Sequence, residues 1–126
     1  MSSIYKDLDK IFLIGAGGFL GAICRFILCE LIDTHLGILS VNVLGSFILG
    51  LIMYDTEYIG FIGPKGKIAF GTGFMGAFTT FSTFAVQSFS MPFFPAMGNI
   101  SANLFLTLVG VFVGRSVIKA LSNREE

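Results

Sequence analysis

The sequence predicts an all-α membrane protein with four transmembrane helices, the third broken near its middle. Three observations carry this. Of the 126 residues, 54% are hydrophobic and only 13% charged, with a mean hydropathy of +0.85; a soluble surface needs far more polar residues than that. The apolar residues gather into four stretches, at about 11–32, 38–54, 68–91 and 96–114, each close to the roughly 20 residues a helix needs to cross a bilayer. Within the third stretch, Thr79, Thr80, Ser82 and Thr83 cluster around Phe81, just after Gly71, Gly73 and Gly76. Hydroxyls at membrane depth need partners, and glycines let a helix open there. The length allows one domain, 1–126.

Residues 1–10 form a short polar arm with the character of a surface helix. Its mixed charge and the lack of a small-residue cleavage site after a short apolar core do not make a secretory signal, so the first span is expected to remain in place. That span carries Gly15, Gly17, Gly18 and Gly21. The Gly17–Gly21 pair is a GxxxG spacing, which lets another backbone approach closely. Arg25 interrupts the span. Its charge either snorkels to the far interface or draws anions to a pore mouth.

Residues 33–37 read as a tight connection. The second span contains Asn42, which serves either as interhelical hydrogen-bonding glue or as a pore-lining donor. Residues 55–67 read as a loop, with Gly63–Pro64 as its turn signal. Pro92 and Pro95 separate the third span from the fourth, where Asn103 and Thr107 lie one turn apart on one face.

Composition and spacing exclude several functions. Eight basic and eight acidic residues balance to zero net charge, which offers nucleic acid no basic face. Cys24 and Cys29 sit in one apolar segment and make no disulfide framework or metal-ligand pattern. His35 has no neighbouring His or Cys and reads as a loop histidine. Gly71, Gly73 and Gly76 spell GxGxxG, but the dinucleotide reading needs a βαβ unit and an acid about 20 positions on; after Glu57 the next acid is Glu125. No nucleophile–base pair or paired carboxylates occur, so the chain is not expected to be an enzyme.

Transport remains. The hydroxyls of the third span, with Gln87 and Asn42, are neutral donors. Phe70, Phe74, Phe78, Phe81 and Phe84 recur at three- and four-residue steps. The first three read as packing or lipid contact. Phe81 and Phe84, set among hydroxyls, are candidates for a pore, because a phenyl ring is electropositive at its edge. Ring edges and neutral donors would hold a small, hard anion weakly enough to release it. A helix opened near 76–80 also frees carbonyls, which a cation such as sodium would satisfy with oxygens from two copies of the chain.

The runs GGFLGAICRF (17–26), VNVLGSFILG (41–50) and above all GFMGAFTTFSTF (73–84) resemble the Fluc (CrcB) family of fluoride channels, over all four spans. The resemblance implies a small prokaryotic plasma-membrane subunit that forms an antiparallel dimer with two fluoride pores and a central structural sodium ion. It implies that Gly76 and Thr79 lend backbone carbonyls to the sodium. Asn42, Phe81, Phe84 and Thr107 would belong to the fluoride pore, and Arg25 to the pore mouth; Ser82 and Thr83 are added to the pore on their hydroxyls, as donors beside the two rings. Many members carry a glutamate where this chain has Gln87, and a second fourth-helix hydroxyl where it has Val111.

Two other classes compete. A small dual-topology drug exporter needs a carboxylate within the membrane, and Glu30, at the end of its span, is the candidate. A non-transporting assembly subunit needs no hydroxyl-rich third span. Orientation follows the Lys and Arg bias of the loops. Lys6, Lys10, Lys65, Lys67, Arg115, Lys119 and Arg124 fall on the side of the termini and only Arg25 toward the other. This bias predicts cytoplasmic termini and a fixed insertion. It favours pairing with a homologous subunit of opposite orientation over pairing of the chain with itself.

Overall fold

A computed structural model describes residues 2–32 and 34–124 of the chain. These are almost wholly helical, with no strand among the described residues. Helix α1 spans Ser2–Leu31 and α2 spans Thr34–Tyr58. A third rod, α3, is built from Pro64–Gly66, Lys67–Met75 and Gly76–Phe78 run end to end. Helix α4 spans Phe81–Phe89 and α5 spans Phe93–Ser122.

Several boundaries differ from the expected ones, each for a local reason. The polar arm is no separate element, because α1 runs unbroken from Ser2. His35 lies in the first turn of α2 rather than in a loop; Asp33, where the connection was expected to begin, is outside the described residues. Helix α2 continues through Asp55 and Glu57, where a loop was expected. Its end is closed by Asp55: the carbonyl accepts the N–H groups of Ile59 and Gly60 at 2.8 and 2.6 Å, and Gly60 takes the positive φ of 76° typical of a helix stop. The same residue's carboxylate accepts the N–H of Phe61 at 3.2 Å and of Ile62 at 2.7 Å, and it is buried. Pro95, expected to break the chain, falls in the first turn of α5, where backbone N–H groups have no intrahelical partner to lose.

Among the described residues, three helices are long and apolar enough to cross a membrane, within Asp7–Leu31, His35–Asp55 and Phe93–Ser122. The third stretch, 68–91, divides into α3 and α4, neither of which reaches the ~20 residues of a single span. The division falls at Thr79 (φ −79°, ψ 158°) and Thr80 (φ −147°, ψ 121°), both extended. Gly76 is helical (φ −60°, ψ −31°), so the opening lies at the threonines and not at the glycines. The glycine-rich part, Lys67–Met75, winds instead as a π-helix, a rare geometry that recurs at functional sites.

Glycines set the packing. A Cβ on Gly17 would meet the carbonyl oxygen of Ala69, one on Gly21 that of Phe74, and one on Gly73 would come within 2.8 Å of the Ile14 carbonyl oxygen. The GxxxG flank thus seats α1 directly on the backbone of α3. Gly15 meets nothing within 4 Å and takes no part. Helices α2 and α5 make the other close pair, with Gly50 against the Val111 backbone and Gly114 against the Phe47 carbonyl. Val41, Ile52, Met75 and Phe78 form the small buried core. Phe74 stacks on Phe78 at 5.8 Å, whereas Phe70 is exposed.

The long axis has a defined polarity. Lys65, at the start of α3, reaches Asp9 of α1 at 3.7 Å. Ser122, at the end of α5, donates to the Tyr58 carbonyl at 2.8 Å. Both described ends therefore share one end of the bundle with the loop between α2 and α3.

Removing the clamp at that end tests its weight. Asp55→Ala strips two backbone N–H groups of a charged acceptor and should cost about 2 kcal/mol of stability. Asp55→Asn, which keeps one acceptor oxygen, should lose about half as much. Denaturant unfolding in detergent micelles measures both, and an unshifted midpoint for Asp55→Ala would show that the loop holds without it.

Candidate functional site

The extended pair Thr79–Thr80 interrupts the helical ladder, so backbone groups there need partners from elsewhere. Asn42 supplies them. Its Oδ1 accepts the Thr80 N–H at 2.9 Å and its Nδ2 donates to the Thr80 carbonyl at 3.1 Å. One side-chain amide thus pairs both backbone groups of Thr80, as a neighbouring strand would. Nδ2 also donates to Oδ1 of Asn103 at 3.1 Å. The donors of Asn42 are therefore spent inside the chain, and the glue role is the one its geometry displays.

The hydroxyls of the third segment do separate jobs. Thr80 is the N-cap of α4: its Oγ1 accepts the Thr83 N–H at 3.3 Å and donates to Thr83 Oγ1 at 3.0 Å, a standard way to satisfy a helix start. Ser82 and Thr83 are exposed, the Ser82 Oγ lying 3.4 Å from Thr80 Oγ1. Thr79 Oγ1 donates back to the Met75 carbonyl at 3.0 Å.

Beside this interruption lies a cavity of about 250 Å³, lined by Asn42, Ser46 and Leu49 of α2, Thr79 and Thr80, Phe81 and Phe84 of α4, and Asn103, Leu104 and Thr107 of α5. No lining residue is charged. The Phe81 and Phe84 rings sit 5.7 Å apart at an interplanar angle of 59°. Phe84 is buried, whereas Phe81 is 78% exposed, so one wall of the cavity stands open in the single chain. Thr107 Oγ1 donates to the Asn103 carbonyl at 2.6 Å.

Asn42, Phe81, Phe84, Thr107 and Thr79 thus meet at one cavity. Ser82, Thr83 and Gly76 do not line it, and neither does Arg25. The Arg25 guanidinium points to the interruption instead, with Nη1 3.5 Å from the Thr79 carbonyl oxygen. Gln87 is buried on α4 away from the lining. Val111 faces the contact of α5 with Gly50.

Sequence reasoning missed Ser46 and the full reach of Asn103. Ser46 lines the cavity and makes no hydrogen bond among the described residues. It lies four positions after Asn42, one turn along the same face, which was a usable signal. Asn103 shows only as a helix-facing amide until its partners are seen.

Three long apolar helices among the described residues, with a neutral, partly polar cavity beside the interrupted third segment, define a multi-pass membrane protein. The profile of the family described as CrcB-like protein, Camphor Resistance (CrcB), matches residues 12–115, and the chain belongs to that family. It is 86% identical over 125 residues to "Fluoride-specific ion channel FluC 2" of Methanosarcina barkeri, covering 99% of each chain. It is 82% identical to the protein of the same description from Methanosarcina acetivorans, again over 99% of each. "Fluoride-specific ion channel FluC 1" of Methanosarcina acetivorans is 40% identical over 114 residues, 83% of this chain and 87% of that one.

Proposed function

We propose that this chain is a subunit of a fluoride-selective channel in the cell membrane, through which fluoride leaves the cell passively and its toxicity is relieved. The observation that carries the reading is the neutral cavity where the rings of Phe81 and Phe84 meet Asn42 and Thr107. Ring edges are electropositive. With the Ser46 hydroxyl they offer an anion several weak contacts and no strong trap, which suits conduction. The relatives described as fluoride-specific channels support the same ion. The exporter reading has less behind it, since Glu30 is exposed at the end of α1.

The open wall at Phe81 suits a second subunit, and an antiparallel dimer would close the cavity on that side. The charge bias favours two unlike subunits. Lys10 and Lys65 bond acids at the end of the bundle that holds the termini, while Arg25 sits at the level of Thr79 and adds nothing to the opposite loops. Methanosarcina acetivorans has both a FluC 1 and a FluC 2 relative, which fits an inverted pair with cytoplasmic termini for this chain.

A structural sodium ion at the dimer centre fits the donor set in part. In an unbroken helix the Thr80 N–H would bond the Gly76 carbonyl; here it goes to Asn42, which releases that oxygen for a cation. The Thr79 carbonyl has Arg25 beside it, so a sodium bound there requires the guanidinium to draw back.

Three measurements test these points. In liposomes the purified protein, with its partner if one is needed, should pass fluoride and reject chloride. Phe81→Ile or Phe84→Ile should cut the rate about tenfold, the worth of a ring contact beyond its volume. Fluoride efflux no faster than in protein-free liposomes would end the channel reading, and full rates in both variants would make the rings packing alone. Unfolding in sodium should occur at higher temperature than in N-methylglucamine, and identical melting would remove the sodium. A cysteine placed near Lys119 should stay unlabelled by an impermeant thiol reagent on intact cells; labelling of about half the chains, as dual insertion predicts, would mean a homodimer.

A further inference from the structure

The hydrogen bonds around Asn42 do not stop at Asn103. Asn103 Nδ2 donates to Oδ1 and to the carbonyl of Asn99, both at 3.1 Å. Asn99 Nδ2 donates to Ser88 Oγ at 2.9 Å, and Ser88 Oγ donates to the Phe84 carbonyl at 2.9 Å. With the Thr80 N–H donating to Asn42 and Asn42 to Asn103, an uninterrupted chain runs from the interruption to the turn that carries Phe84. Every donor in it points the same way.

The ends fix that sense. A backbone N–H can only donate and a carbonyl can only accept, so each amide between them is held in one orientation. Asn42, Ser88 and Asn103 are buried, where bonds in a network strengthen one another and an unmade bond is costly. The chain also bridges three elements: α2 through Asn42, α5 through Asn103 and Asn99, and α4 through Ser88. Helix α4 is nine residues long, and apolar contact with α5 is not directional. Apolar contact alone would let α4 slide or turn on α5. The amide chain ties both ends of the Phe81–Phe84 turn to fixed points on one face of α5.

We propose that Asn103, Asn99 and Ser88 are positioning residues of the ion pathway: as one relay with Asn42 they hold the Phe84 ring in register with the Thr80 interruption. This rests on the fluoride reading for its functional consequence, but not for its geometry.

Two readouts separate the two. In liposomes, Ser88→Ala, Asn99→Leu and Asn103→Leu should each lower fluoride efflux about tenfold, the worth of one hydrogen bond in a buried network. The double variant Ser88→Ala/Asn99→Leu should be within about twofold of either single one, because a cut chain cannot be cut again. Ser88→Thr, which keeps the hydroxyl, should restore the rate. Independently, para-fluorophenylalanine in place of Phe84 reports the ring's surroundings by fluorine NMR. Its signal should move to the same new position in Ser88→Ala and in Asn99→Leu, and stay in place in Ser88→Thr. An unmoved signal in both loss variants overturns the relay whatever the flux. So do full-rate Ser88→Ala and Asn99→Leu channels, or losses that multiply in the double variant. If the unaltered protein passes no fluoride, the channel reading falls and the NMR signal alone decides the relay.

Discussion

The pairing of the Asn42 amide with the backbone of Thr80 is the interaction on which the rest depends. A peptide group with no partner in hydrocarbon costs several kcal/mol, and an extended pair of residues inside a membrane segment exposes such groups. Asn42 answers both polar groups of Thr80 with one short side chain. Because it does, the third segment can stop being helical at Thr79, turn, and start again at Phe81 with Thr80 as its cap. The rings of Phe81 and Phe84, and the cavity they line, exist where they do because the chain is redirected there.

A side chain as short as asparagine reaches Thr80 only if α2 passes close by. Glycines grant that approach. A Cβ on Gly45, one turn from Asn42, would collide with the Thr79 methyl. Gly17 and Gly21 seat α1 against α3 from its other side, and Gly50 and Gly114 draw α5 onto α2. Lipid gives helices no hydrophobic reason to associate, so association rests on such close backbone packing together with interhelical hydrogen bonds. The bundle supplies both: glycine contacts bring the backbones together, and the amides of Asn42, Asn103 and Asn99 supply hydrogen bonds between the helices.

Much of this was legible in the sequence, and the remainder has a physical explanation. Apolar run length and the glycine flank of the first span depend on residues near one another, so they could be read directly. The interruption was expected near Gly76 through Thr80, on the reasoning that glycine weakens a helix. Gly71 and Gly73 went instead into a π-helical stretch packed on Gly17 and Gly21, Gly76 began a short α-helical turn, and the opening fell where Asn42 can serve the backbone. That partner lies 38 residues away, beyond any local pattern. Asp55 was hidden in the same way: it reads as a loop acid until its carboxylate is found holding the N–H groups of Phe61 and Ile62. Asn42, Phe81, Phe84 and Thr107 could be named together from the resemblance alone; their meeting at one cavity is tertiary, as is the exclusion of Ser82 and Thr83, which α4 turns outward.

The spending of donors inside the chain bears on how such a cavity treats an anion. An amide already bonded to two acceptors cannot turn to meet an ion without leaving a buried oxygen unpaired, at a cost of about 1–3 kcal/mol. Asn42 and Asn103 are in that position, and Thr107 is held by its own 2.6 Å bond. Left to line the cavity are the Ser46 hydroxyl and the rings of Phe81 and Phe84, none of which gives up a bond to meet a guest. Contacts of this kind are weak singly, and they ask little reorganisation of the protein as an ion arrives and departs. A strongly charged side chain would bind an anion more tightly and release it more slowly, against the requirement that entry be favourable and exit still possible. The internal amide network therefore does more than hold the backbone open: by occupying its own donors it leaves the cavity neutral and only weakly polar, which is the condition the proposed anion pathway requires.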